Sequence, residues 1–174
     1  SSSRLYSSAN DERISTLNRI FNEKGSEMLR RLRTAARMFG SAIAARNAES
    51  RYTLLCAAMD AMIMESNEVD YRGGKLAELT SFLISDPEKR LETFMQVSQS
   101  YNNRPSAISK DSGDVSEDKI KTLQEIMLKL FWRLAELERK GHSSLSDGDN
   151  SVVNLVQRIK FGIKSPTGSP VHGL

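Results

Sequence analysis

SEDKIKTLQEIMLKLFWRLAELERKG, residues 116–141, reads as one long helix with both ends marked. Ser116 is of the type whose hydroxyl caps free amide donors at a helix start. Ile120, Leu123, Met127, Leu130, Leu134 and Leu137 then recur at steps of three and four. That spacing lines one face of a helix and gives a coiled-coil-like seam. Phe131 and Trp132 widen the apolar face beyond a simple zipper, and Gly141 supplies a C-cap. The face Leu123, Met127, Leu130 and Leu134, with Trp132 at its edge, is a candidate for self-association or for docking a partner.

Outward from this helix the same period persists. Downstream, a loop over 142–150 leads to a last helix carrying Val152, Val153, Leu155, Val156, Ile159 and Ile163, and the tail from Ser165 is expected to be extended. Upstream, Asn102 to Val115 is polar, with Pro105 and Gly113, and is expected to be a linker. Before it, Asn10 or Asp11 is expected to cap a helix with Ile14, Leu17, Ile20 and Phe21 on one face. A second helix follows Gly25 and Ser26, with Met28, Leu29, Leu32, Ala35, Ala36 and Phe39 in phase. Gly40 weakens it without ending it, because residues 42–48 favour helix. The most apolar helix is expected over 50–66. Gly73-Gly74 reads as a break, followed by a short helix with Leu76, Leu79, Phe82 and Leu83. Asp86-Pro87 reads as a capped start for a helix presenting Leu91, Phe94, Met95 and Tyr101 on one face.

No long segment alternates with period two. The expected class is all-α: two small helical-bundle halves joined by a polar linker. The divisions are an N-terminal helical domain over 1–101 with an arginine-rich helix, a linker over 102–116, and a C-terminal helical domain over 117–174 with a flexible tail. Residues 12–21 also align without gaps with residues 118–127, sharing Ile, Thr, Leu and Ile, which fits either duplication or shared amphipathicity.

The composition is that of an ordinary globular chain of 174 residues, large enough for one domain or two small ones. One cysteine, Cys56, excludes a disulfide within the chain and a cysteine metal quartet, and favours a reducing, intracellular setting. No stretch has the apolar length of a membrane span. Residues 1–10 lack the apolar core of a secretory signal, and Ser1 is expected to stand downstream of the native start. His142 and His172 have no ligand-spaced partners, and Cys56 has no nearby histidine. Acidic pairs such as Glu65/Glu68 and Asp86/Glu88 read as helix-end charges, and Gly73-Gly74 lacks the residues of a phosphate loop. The expectation is a binding protein without catalytic residues, metal, cofactor or small-molecule substrate.

Charge is where the sequence is uneven. Residues 13–51 hold nine Lys/Arg against three Asp/Glu, a net +6, while residues 52–100 hold four against eight, a net −4. Such asymmetry suits an anionic partner or head-to-tail contact between copies. Arg30, Arg33 and Arg37 fall at i, i+3 and i+7 on one helix face, with Arg31 beside them and Arg46 and Arg51 following. Apart from Glu27, no acid stands at a pairing position around 30–37, so like charges repel along the helix. The planar guanidinium fork suits phosphate. The stripe stays open to three readings: phosphate contact, a solvated face, or pairing with the acidic middle of the same chain or of a neighbour. With few aromatics near it beyond Tyr52, sequence-independent backbone contact with a duplex fits better than base stacking on a single strand.

In chain length, paired helical halves and a basic first half, carried mainly by Arg13 to Arg51 and Ser116 to Lys140, the chain resembles the small helical RNA-silencing suppressors of closteroviruses of the beet yellows virus type. The resemblance implies a cytoplasmic protein of infected plant cells that binds small duplex RNA and keeps it from the silencing machinery. It also implies self-association into a ring with a basic inner wall, and makes Arg30, Arg31, Arg33, Arg37, Arg46 and Arg51 candidates for RNA contact. The acidic middle departs from a uniformly basic RNA binder. The alternative is a helical protein–protein adaptor or oligomeric scaffold that does not bind nucleic acid.

Overall fold

The computed structural model describes residues 2–65, 72–103 and 115–163, with side chains from residue 10 onward. Most of the expected linker and the tail from residue 164 lie outside the described residues. The described residues are all-α, without a strand. The helices are α1 (Ser2–Asn22), α2 (Glu27–Ala44), α3 (Ala48–Ile63), α4 (Arg72–Ile84), α5 (Arg90–Asn102), α6 (Glu117–Arg139) and α7 (Val152–Lys160). A single 3-10 turn, Pro87–Lys89, precedes α5.

Two antiparallel hairpins lie around α6. In the first, α2 and α3 are joined by three residues, and Arg31 near the start of α2 reaches Ala61 and Met64 at the end of α3. In the second, α4 and α5 run so close that a Cβ added at Gly73 would stand 2.9 Å from Tyr101 Cδ1 and 3.0 Å from Asn102 Oδ1. Glycine at 73 therefore does not break the helix as expected from the sequence; it lies inside the first turn of α4 and permits this approach.

Helix α6 packs against α2, α3, α4 and α5, and α7 closes on α4. Buried residues from both sides of position 102 form one cluster, with Met28, Leu32, Leu55, Met59 and Leu76 meeting Ile120, Leu123, Met127 and Leu130. The expected division into two bundle halves is not confirmed: α6 supplies the centre of the N-terminal helices' core. Each such buried side chain contributes about 1.5–3 kcal/mol relative to exposure.

Local chemistry sets most helix ends. Ser26, Asn47, Ser116 and Ser151 accept amide bonds as N-caps of α2, α3, α6 and α7. Gly141, at φ +102°, turns the chain out of α6, with His142 N–H donating to Leu137 O and Gly141 N–H to Glu138 O, each 3.0 Å. Two expected caps differ. Asp86 makes no side-chain capping bond, and Pro87 begins a 3-10 turn instead of α5. Helix α1 starts at Ser2 rather than at Asn10 or Asp11, since residues 2–9 contain no glycine or proline to stop it. Of its expected apolar face, Ile20 is buried and Leu17 partly so, while Ile14 and Phe21 are exposed.

Candidate nucleic-acid interface

The six arginines of the basic segment divide into two sets. Three are tied into the fold. Arg31 pairs with Glu27 one turn earlier, and its Nη1 donates to Met64 O at 2.7 Å and Ala61 O at 3.4 Å, satisfying carbonyls at the end of α3. Arg33 Nη1 donates to Ile20 O and Glu23 O, both at 2.7 Å, and does the same for α1. Arg51 forms a two-bond fork with Glu117 at 2.9 and 3.1 Å, linking α3 to the start of α6.

Arg30, Arg37 and Arg46 form the other set. All three are exposed, and their guanidinium groups have no partner among the described residues. Arg30 and Arg37 share the outer face of α2, about 10.5 Å apart along its axis at 1.5 Å per residue. Arg46 follows in the α2–α3 connection. Among the described residues, no acid of the acidic middle pairs with them. Asp60 is held by Arg72 at 2.6 and 2.9 Å, Glu65 accepts from Ser146, and Glu78 pairs with Lys160. The Asp60 hydrogen bonds also hold the Arg72 guanidinium above its usual range.

Tyr52 gives this edge no stacking platform. Tyr52 is buried, with its hydroxyl donating to Ser100 O at 2.8 Å, and burial raises its pKa above the usual tyrosine value. The edge offers cationic, hydrogen-bond-donating groups, which suit phosphates.

The self-association face needs correction. Leu123, Met127, Leu130 and Leu134 are at most 1% exposed, enclosed by the chain's own helices, so a second copy cannot reach them in this fold. Trp132 is half-buried and turned to α1. Its ring lies 5.5 Å from the Arg13 guanidinium carbon and meets Phe131 edge-on at 5.4 Å. A groove of about 330 Å³ runs beside it, lined by Glu12, Arg13, Thr16, Trp132, Ala135, Glu136 and Arg139. Glu136 is kept ionised below the usual carboxylate range by the Lys140 hydrogen bond first and by Arg133.

A residue the sequence did not single out fastens α1 and α2 to α6. The Glu138 side chain is only 6% exposed; its carboxylate accepts from Arg19 at 3.1 Å and from Ser26 Oγ at 3.2 Å. Its position beside Leu137 and one turn after Leu134 is the signal, since a charge on an apolar face needs a partner. Cys56 is buried, and His142 Nδ1 lies 2.6 Å from Asn150 O. His172 lies outside the described residues. Among the described residues, no cluster of three or more His, Cys, Asp or Glu could hold a metal, and no helix is long and apolar enough to cross a membrane.

No protein-family model, curated protein or solved structure matches the chain.

Proposed function

We propose that the chain binds the phosphate backbone of small duplex RNA through Arg30, Arg37 and Arg46, and thereby withholds such duplexes from RNA silencing. The observation that carries the reading is the grouping of unpartnered cations. Among the arginines with described side chains only Arg158 shares that condition, and the other three lie within residues 30–46. Most of the remaining arginines are paired or stacked within the fold. Exposed guanidinium groups without counter-ions keep their planar forks free to grip phosphates. The choice of RNA among polyanions draws on the resemblance to the closterovirus suppressors. Assembly of copies into a ring, if it accompanies binding, uses surfaces other than the buried face of α6.

Binding of a synthetic RNA duplex should weaken steeply with salt. Replacing Arg30, Arg37 and Arg46 with alanine should flatten the salt slope by about one unit per lost phosphate contact. Unchanged affinity and slope in the triple variant would remove the edge from consideration. A second reading, a protein-docking helical scaffold, is favoured by Leu91 and Met95, exposed one turn apart on α5. No affinity for RNA or DNA at low salt, with binding lost only on Leu91→Ser and Met95→Ser in a partner assay, would select it.

A further inference from the structure

Arg33 stands between Arg30 and Arg37 in the stripe, yet its guanidinium is turned toward α1. Both of its hydrogen bonds, to Ile20 O and Glu23 O, leave from Nη1. Nε and Nη2 make no hydrogen bond among the described residues, and the side chain is partly exposed. A guanidinium carries five donors in a planar fork, so the Nε–Nη2 edge retains the geometry that grips a phosphate with two parallel bonds.

Helix α1 is lightly fastened. Of its described apolar residues only Ile20 is buried and Leu17 packs partly buried against the core; its polar ties are Arg19 to Glu138 at 3.1 Å, Glu12 to Arg139 at 3.6 Å, and Arg13 over Trp132. The cap from Arg33 closes the end of this helix, where its carbonyls carry partial negative charge.

We propose that Arg33 couples phosphate binding on α2 to the docking of α1, capping α1 through Nη1 while Nε and Nη2 take a phosphate. The proposal rests on the phosphate reading of the arginine edge. With α1 docked, the guanidinium is held in place and the phosphate meets a fork already oriented, which spares the ordering of a long side chain. Linkage is reciprocal, so a bound phosphate tightens α1 by the same factor.

The test is hydrogen exchange on the full chain at low salt, with and without a synthetic RNA duplex. Amides of residues 14–22 are expected to exchange at least about 5-fold more slowly with duplex bound, the lower end of ordinary coupling between sites. Arg33→Lys keeps the charge and loses the second edge. In that variant duplex should still bind through Arg30, Arg37 and Arg46 while the added protection of α1 disappears. Glu138→Gln loosens α1 away from the stripe and removes a negative charge. It should weaken duplex binding several-fold with an unchanged salt slope, opposite to the effect of charge alone. Duplex binding that depends on Arg30 and Arg37 but leaves α1 exchange unchanged or faster overturns the coupling alone. Absence of duplex binding, or binding indifferent to those arginines, overturns the phosphate reading and the coupling together.

Discussion

Arg30 and Arg31 are neighbours in sequence and opposites in environment. Arg31 is clamped between Glu27 and the last carbonyls of α3, whereas Arg30 is exposed and unpartnered. Arg31→Ala should therefore cost about 1–3 kcal/mol, the penalty for a lost charged hydrogen bond and partly buried acceptors. Arg30→Ala should stay within about 0.5 kcal/mol of the parent, as surface substitutions do. Denaturant midpoints check the pair, and duplex affinity should move for Arg30→Ala. The sequence placed all six arginines on a basic segment but could not separate them. Helical spacing fixes the direction of a side chain; what it meets depends on where the ends of α1 and α3 come to rest. Glu138 follows the same logic from the acidic side. Glu138→Gln should destabilise the fold by about 1–2 kcal/mol, discounted because Arg19 is about one-third exposed. In a domain of this size that lowers Tm by about 2–4 °C per kcal/mol.

Two glycines in helices make opposite predictions. Gly40 lies in α2 with nothing within 4 Å of an added Cβ, so Gly40→Ala should stabilise by about 0.5–1 kcal/mol, the usual helical preference. A Cβ added at Gly73 would stand 2.9 Å from Tyr101 Cδ1 across the α4–α5 contact. Gly73→Ala should destabilise by about 1–3 kcal/mol despite the same preference, because overpacking prevails. Thermal unfolding of the two variants reads both signs. The last turns of α6 add a pH dependence. Glu136 has a folded pKa lowered by Lys140 and Arg133, so its contribution is present above the unfolded pKa and fades as acid carries the pH down through the folded pKa. Glu136→Gln should thus lose stability relative to the parent at neutral pH and approach it below pH of about 4, near the ordinary glutamate value. At this scale the sequence was most readable: periodicity located α2, α3, α6 and α7, and Ser26, Ser116 and Gly141 marked ends that the structure keeps. The misreadings fall where a local signal met a tertiary demand. Gly73 reads as a break until α5 is placed against it, and Asp86-Pro87 reads as a cap until the 3-10 turn intervenes.

At the scale of the molecule, one core spans the chain, with α6 at its centre. The expectation of two halves came from the polar stretch after Asn102, which marks a connection but says nothing of whether the segments it joins share a core. The seam on α6 likewise announces an apolar partner without saying whether that partner is the same chain or another. Unfolding should therefore be a single cooperative transition, with calorimetric and van't Hoff enthalpies equal. Two separated transitions would restore the two-domain expectation. Leu130→Ala, at 0% exposure on α6, should cost about 2–5 kcal/mol and lower that one transition as a whole.

Trp132 is the chain's single tryptophan, and it lies under Arg13 of α1, on a helix other than the one bearing Arg30 and Arg37. The protein thus contains an intrinsic fluorophore at the α1–α6 contact, where no label need be attached. Emission wavelength and acrylamide quenching of this one indole report whether α1 is seated, in dilute solution and on the timescale of a mixing experiment.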